Sequence, residues 1–214
     1  MTRLARPLGL LAGASAFALA ATLAFASPAS AAATPLTWDC QAKPPIGAPQ
    51  QLPLTASVQG DAPATVAAGA ALEISLAPAP ETVPAEAAGY PIENLRDLKL
   101  RVPVPAGSTF QSAKLTGGSN LGGTPTVSQA NNVVTVVVPG PIAGGATFQL
   151  PALQLGLTAS GAAGTAIESR LAGTGYDNPG LTFTAKVKVG FISVDVPTSC
   201  FANPSPTLTT TAIG

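Results

Sequence analysis

The densest run of ionisable side chains in this sequence is Glu93, Arg96, Asp97, Lys99 and Arg101. Such residues suit two chemistries, a carboxylate working as general base or nucleophile, and a polar patch that binds a ligand. Asp97, Lys99 and Arg101 alternate with Leu98, Leu100 and Val102, which puts the three charges on the outward face of a strand. Mixed charges on such a face are ordinary, and they discourage pairing of strand edges. A solvated strand face is therefore the preferred reading. The remaining functional reading is a binding patch of Tyr90, Asp97, Lys99 and Arg101, with Tyr90 as an exposed aromatic in an irregular stretch.

Other chemistries have less to work with. The chain has no His, so neither a Ser-His-Asp nor a Cys-His arrangement can be built. The usual nitrogen ligands of zinc are missing as well. Gly117 to Gly123 is glycine-rich but is followed by neither a Lys nor a helix signal, so it is not a phosphate loop. Tyr176-Asp177-Asn178-Pro179-Gly180 has the residue types of a calcium loop without the spaced acidic ligands, and reads as a turn. Glu168 and Arg170 share a strand face and could pair across to Lys186 or Lys188. No catalytic residue, cofactor or metal site is expected.

The two thiols are Cys40 and Cys200. Their context comes from the first residues of the chain. Arg3 and Arg6 precede an uncharged run from Leu8 to Phe25, and Ala29-Ser30-Ala31 has the form of a cleavage site. This predicts a secretory signal peptide over 1–31, leaving about 180 residues, the size of one domain. An exported chain meets oxidising conditions, so a Cys40–Cys200 disulfide joining the first and last strands is expected. Trp38 is the sole Trp and would share a strand face with Cys40. It is expected to pack in the core near the disulfide; the alternative is an exposed ligand-stacking Trp.

Composition narrows the partners. Charged residues make up 9% of the chain, against about 25% in ordinary soluble domains. Arg3 and Arg6 fall in the leader, so the remainder is slightly negative. Nothing would gather phosphates, and nucleic acid is excluded as a partner. No second long apolar run follows the leader, so no membrane span is expected.

The elements that must carry these residues are strands. Period-2 alternation recurs at Leu52 to Val58, Leu72 to Leu76, Leu98 to Val104, Leu181 to Val189 and Ile192 to Val196. Val133 to Val138 is apolar on both faces apart from Thr135, as in a central strand. Between Phe148 and Leu157 the apolar phase slips at Pro151, which predicts a bulge or break. Gly-, Asn- and Pro-rich turns separate these runs. Pro78 to Asn94 reads as a long irregular crossing, and 202–214 as a flexible Thr/Pro-rich tail. The predicted fold is all-β: an antiparallel β-sandwich over 32–201, Ig-like or jelly-roll-like, a single domain closed by one disulfide. A closed barrel is the second choice.

Several stretches have a recognisable form: Leu36-Thr37-Trp38-Asp39-Cys40, Pro45-Ile46-Gly47, Arg101-Val102-Pro103-Val104-Pro105-Ala106-Gly107 and Gly117-Gly118-Ser119-Asn120-Leu121-Gly122. Asn178-Pro179-Gly180-Leu181-Thr182-Phe183 and Val196-Pro197-Thr198-Ser199-Cys200 complete the set. In these stretches the chain resembles a group of exported actinobacterial β-rich proteins of about this size, with one cysteine near each end of the mature chain. The resemblance implies a secreted envelope protein and carries over no catalytic residue. Some members have cyclase-like names, which nothing in these residues supports. The expectation is a secreted, non-enzymatic sandwich with a structural or binding role at the cell envelope, its partner a lipid, polysaccharide or protein. The alternative is a carrier holding an apolar ligand such as a lipid between the sheets. A carboxylate-based hydrolase ranks last.

Overall fold

The structure is a computed structural model that describes residues 32–214. The expected leader over 1–31 lies outside the described residues. Among these there is no helix, and seventeen strands follow one another. The first seven are β1 (Thr34–Ala42), β2 (Gln50–Asp61), β3 (Thr65–Val66), β4 (Ala71–Pro78), β5 (Glu81–Thr82), β6 (Glu86–Ala87) and β7 (Tyr90–Pro103). Then come β8 (Ser108–Thr116), β9 (Thr126–Ala130), β10 (Val133–Val138), β11 (Ile142–Ala143) and β12 (Thr147–Phe148). The last five are β13 (Ala152–Ala159), β14 (Ala166–Ser169), β15 (Leu181–Val189), β16 (Ile192–Ala202) and β17 (Thr209–Ile213).

One antiparallel sheet runs in the order β8-β13-β4-β2-β1-β16-β15-β7-β10-β9. Its two end strands, β8 and β9, approach each other, so the sheet curls into a nearly closed sandwich. Val58, Leu76 and Leu153 from one half meet Leu100, Val102 and Val136 from the other around a shared apolar interior. Alternation explains which side chains go inside. In β13, Leu153, Leu155, Leu157 and Ala159 are buried and their neighbours half-exposed. In β10, Val134, Val136 and Val138 are buried, and the strand is paired on both sides, by β7 and β9. Burial of each such side chain contributes about 1.5–3 kcal/mol.

Turn chemistry fixes the hairpins. Asn131 and Asn132, at φ 50° and 58°, make the two-residue connection between Ala130 and Val133. Two successive positive φ values are what a type I′ hairpin needs, and Asn tolerates them. Between Val189 and Ile192, Gly190 at φ 60° opens the β15–β16 turn. The phase slip at Pro151 is present as the gap between β12 and β13.

Cys40 and Cys200 are direct partners across the β1–β16 ladder and form a disulfide. Trp38, on the same face of β1, is 4% exposed, which settles it as a core residue rather than a stacking platform.

Two expectations need correction. Residues 202–214 are not a flexible tail: β17 lies between β14 and β3 in a second sheet, antiparallel to the first and parallel to the second. Leu208, Thr209, Thr211 and Ile213 are buried there. The domain therefore extends past 201, and β16 is not the last strand. The stretch Pro78 to Asn94 is likewise not wholly irregular. β5 pairs with β12, and β6 turns back on β7 through Ala88 and Gly89, both at positive φ.

Candidate binding surface

The charged run sits on the middle strands of the sheet. Across the β7–β15 ladder, Lys99 faces Thr182 and Arg96 faces Thr184, so β7 holds one residue more than β15 over this step. Asp97, at φ 54°, belongs to this bulge. A bulge places two successive residues on one face, and here it turns Arg96 outward beside Asp97. Arg96 reaches Asp195 on β16 with a guanidinium–carboxylate hydrogen bond. Its Nε is 3.9 Å from Asp97 Oδ2. Further along β7, Glu93 Oε2 is 3.9 Å from Lys186 Nζ, and Ser193 Oγ donates to Glu93 Oε1 at 2.8 Å. These charges pair on an outer face, where each exposed pair contributes little to stability, although Arg96 Nε is itself buried without a hydrogen-bond partner.

The four residues of the sequence-derived patch do not converge. Asp97 and Lys99 are exposed on the outer face, as the alternation predicts. Arg101 is half-buried and serves the fold: its Nη1 donates to Asn178 Oδ1 at 3.1 Å and to the Pro179 carbonyl at 2.9 Å. It thereby ties the 174–180 turn to β7. Tyr90 is exposed at the far end of β7, seven residues from Asp97, a separation of about 23 Å along a strand.

The other candidates resolve simply. Glu168 on β14 pairs at 2.9 Å with Arg170 just past the strand's end, and not with Lys186 or Lys188 on β15. The 174–178 turn closes on itself, with Thr174 N donating to the Asn178 carbonyl. Among the described residues, no group of three or more His, Cys, Asp or Glu side chains could hold a metal ion.

A different surface stands out, and it is apolar. Ile46, Tyr90, Val189, Phe191 and Ile192 are the large hydrophobic residues left exposed among those described, Ile46 at 90% and Phe191 fully. Strand register gathers them at one end of the sandwich. Ala42 at the end of β1 faces Thr198, so the β1–β2 loop with Ile46 points the same way as the start of β16. Ile92 faces Val187, so Tyr90 lies at the same end as the β15–β16 turn. Val189 and Ile192 face each other across that hairpin and share a side of it, while Lys188 faces Ser193 on the other side. The tip is thus amphipathic.

No family model matches the chain. No curated protein matches it either. Among solved structures, its backbone is similar to that of a protein described as membrane anchored from Corynebacterium diphtheriae, with a TM-score of 0.57 at 16% identity. The match covers 86% of this chain and 38% of that one, so this chain spans less than half of its neighbour's length, and the likeness is one of fold alone.

Proposed function

We propose that this chain is a non-enzymatic β-sandwich that works outside the cell, at the envelope, as a structural or binding module. The observation that carries the reading is the collection of exposed apolar side chains at one end of an otherwise well-sealed sandwich. Isolated surface hydrophobics are common; their gathering at one end marks a contact surface. The disulfide suits an oxidising setting, and the structural neighbour's description as membrane anchored fits an envelope location.

The carrier alternative gains no support from the interior. The cavity between the sheets measures about 20 Å³, room for roughly one water, where an apolar ligand needs several hundred Å³. A carboxylate hydrolase gains none from the acids, since Glu93 and Asp195 are engaged by cations on an outer face. The test is retention. The purified chain is incubated with wall polysaccharide and, separately, with envelope lipid extract, and the bound fraction is measured. Retention by either supports a binding role. Turnover of an envelope substrate that disappears when one acidic residue is made an amide would overturn the reading.

A further inference from the structure

The backbone of the β15–β16 hairpin runs on past the ladders that flank it. Pairing of β15 with β7 ends at Val187, and on the other side the last bond to β16 is from Lys43 N to the Pro197 carbonyl. Beyond those points the hairpin's backbone pairs only with itself, and Ser193 Oγ, donating to Glu93 Oε1, is its side-chain tie to β7. Three residues from Val187 to the turn reach about 10 Å, the depth of the headgroup–acyl boundary of a bilayer. Nothing between Val189 and Ile192 is charged.

Cations flank the apolar tip. Lys188 lies on the hairpin itself and Lys43 in the neighbouring loop, and among the described residues neither has a carboxylate within ion-pair distance. Lys186 is shared with Glu93, and Asp195 is taken up by Arg96. Glu86 is the remaining acid near this end, on β6 opposite Pro91. A projecting hydrophobic prong with unengaged lysines behind it is complementary to a soft, anionic surface. A folded protein partner would instead call for a broad patch of about 800 Å² per side.

We propose that this end of the sandwich enters the headgroup–acyl boundary of an anionic lipid bilayer, with Phe191 and Ile192 inserting and Lys188 lying on the headgroups. The inference rests on the envelope-binding reading and names the partner. Tyr90 then sits where aromatic side chains favour the membrane–water interface.

The test uses the chain starting at Ala32, which contains every strand of the described residues. It is sedimented with vesicles of phosphatidylcholine alone and with vesicles containing phosphatidylglycerol. Binding should be tighter to the anionic vesicles. Phe191→Ser combined with Ile192→Ser should weaken binding at least about tenfold, from the apolar surface no longer buried. Lys188→Glu should weaken it about fivefold or more on anionic vesicles and leave neutral ones unaffected. All three sites are exposed, so thermal melts of the variants should match the parent. In Phe191→Trp, fluorescence emission should move to shorter wavelength when vesicles are added. A parent chain that stays in the supernatant with both vesicles would overturn the proposal, as would a double-serine variant that sediments like the parent. Retention on wall polysaccharide without vesicle binding would sink this inference and leave the envelope reading standing.

Discussion

Asp97 shows what a single residue's conformation adds to its charge. Its carboxylate faces water beside Arg96, so neutralising it should matter little. Asp97→Asn should change the unfolding free energy by no more than about 0.5 kcal/mol, since Asn also tolerates a positive φ. Asp97→Val should cost more, about 1–3 kcal/mol, because a β-branched residue is strained at φ 54°. Equal effects of the two changes in denaturant titrations would mean that the bulge does not hold that backbone. The outward direction of Asp97 was legible from its alternation with Leu98 and Leu100. The bulge was not, because an inserted residue leaves no mark when both neighbours, Arg96 and Asp97, are charged. Glu81 gives a titration test. Burial raises its carboxyl above the ordinary value, against a smaller downward pull from a backbone hydrogen bond with Ser57. The folded chain therefore holds this proton to higher pH than the unfolded chain. The stability it contributes is complete below the unfolded pKa and is lost as pH rises through the folded one. Glu81→Gln should remove that loss, so the variant should gain on the parent as pH rises above the ordinary carboxyl range. Melting curves over that rise that stay parallel would show the carboxyl to be fully solvated.

Among the elements, β17 is the one whose existence sequence reasoning missed, and Thr is the reason. Thr209, Thr211 and Ile213 occupy the inward positions of the strand, but a run of threonines after two prolines reads as a polar tail. Thr is β-branched and fits a pleated surface. Its hydroxyl can be buried if it is bonded, and here both are. Thr209 Oγ1 and Ser169 Oγ are 2.6 Å apart, and Thr211 Oγ1 donates to the Pro63 carbonyl at 2.7 Å. Ile213→Ala should therefore cost about 2–5 kcal/mol, the range of a core truncation; a tail would show no loss. Gly60 tests the same docking from the other side. A Cβ there would lie 2.2 Å from the Leu208 carbonyl oxygen, with backbone rather than a flexible side chain in the way. Gly60→Ala should displace the chain before β17, and amide exchange in Thr209 to Ile213 should rise sharply relative to β13. Unchanged exchange would mean that the close approach is not real. The disulfide, by contrast, was legible from two thiols and an export-type leader. It closes a loop of 160 residues, and Cys40→Ala should lower stability by about 2–5 kcal/mol. A variant that melts with the parent would remove the bond from the list of stabilising features.

For the molecule as a whole, period-2 patterning was enough to place the chain among antiparallel sandwiches, because each strand reports its own inward face. The apolar end was not legible. Ile46, Tyr90 and the 189–192 turn are far apart in the sequence, and only the pairing of β1 with β16 and of β7 with β15 brings them together. How well the interior is filled was equally hidden, since a packed core and a ligand-lined cavity use the same Leu, Val and Ala. Packing decides it. Leu155 is fully buried in β13, and the cavity close by, lined in part by Leu153, measures about 20 Å³. In so tight an interior, Leu155→Ala leaves a void that its neighbours can only partly close, and should cost about 3–5 kcal/mol. A carrier's interior behaves otherwise, because side chains that make room for an acyl ligand already tolerate empty space. The same contrast appears without mutation. Native mass spectrometry of the purified chain should show the polypeptide mass alone, even after exposure to lipid extract, since the inferred bilayer contact lies at the outer tip and holds no lipid inside. A stoichiometric adduct with the mass of a lipid, together with a loss of less than about 1 kcal/mol for Leu155→Ala, would mean that the two halves of the sheet separate in solution and that the cavity, not the tip, is where this protein binds.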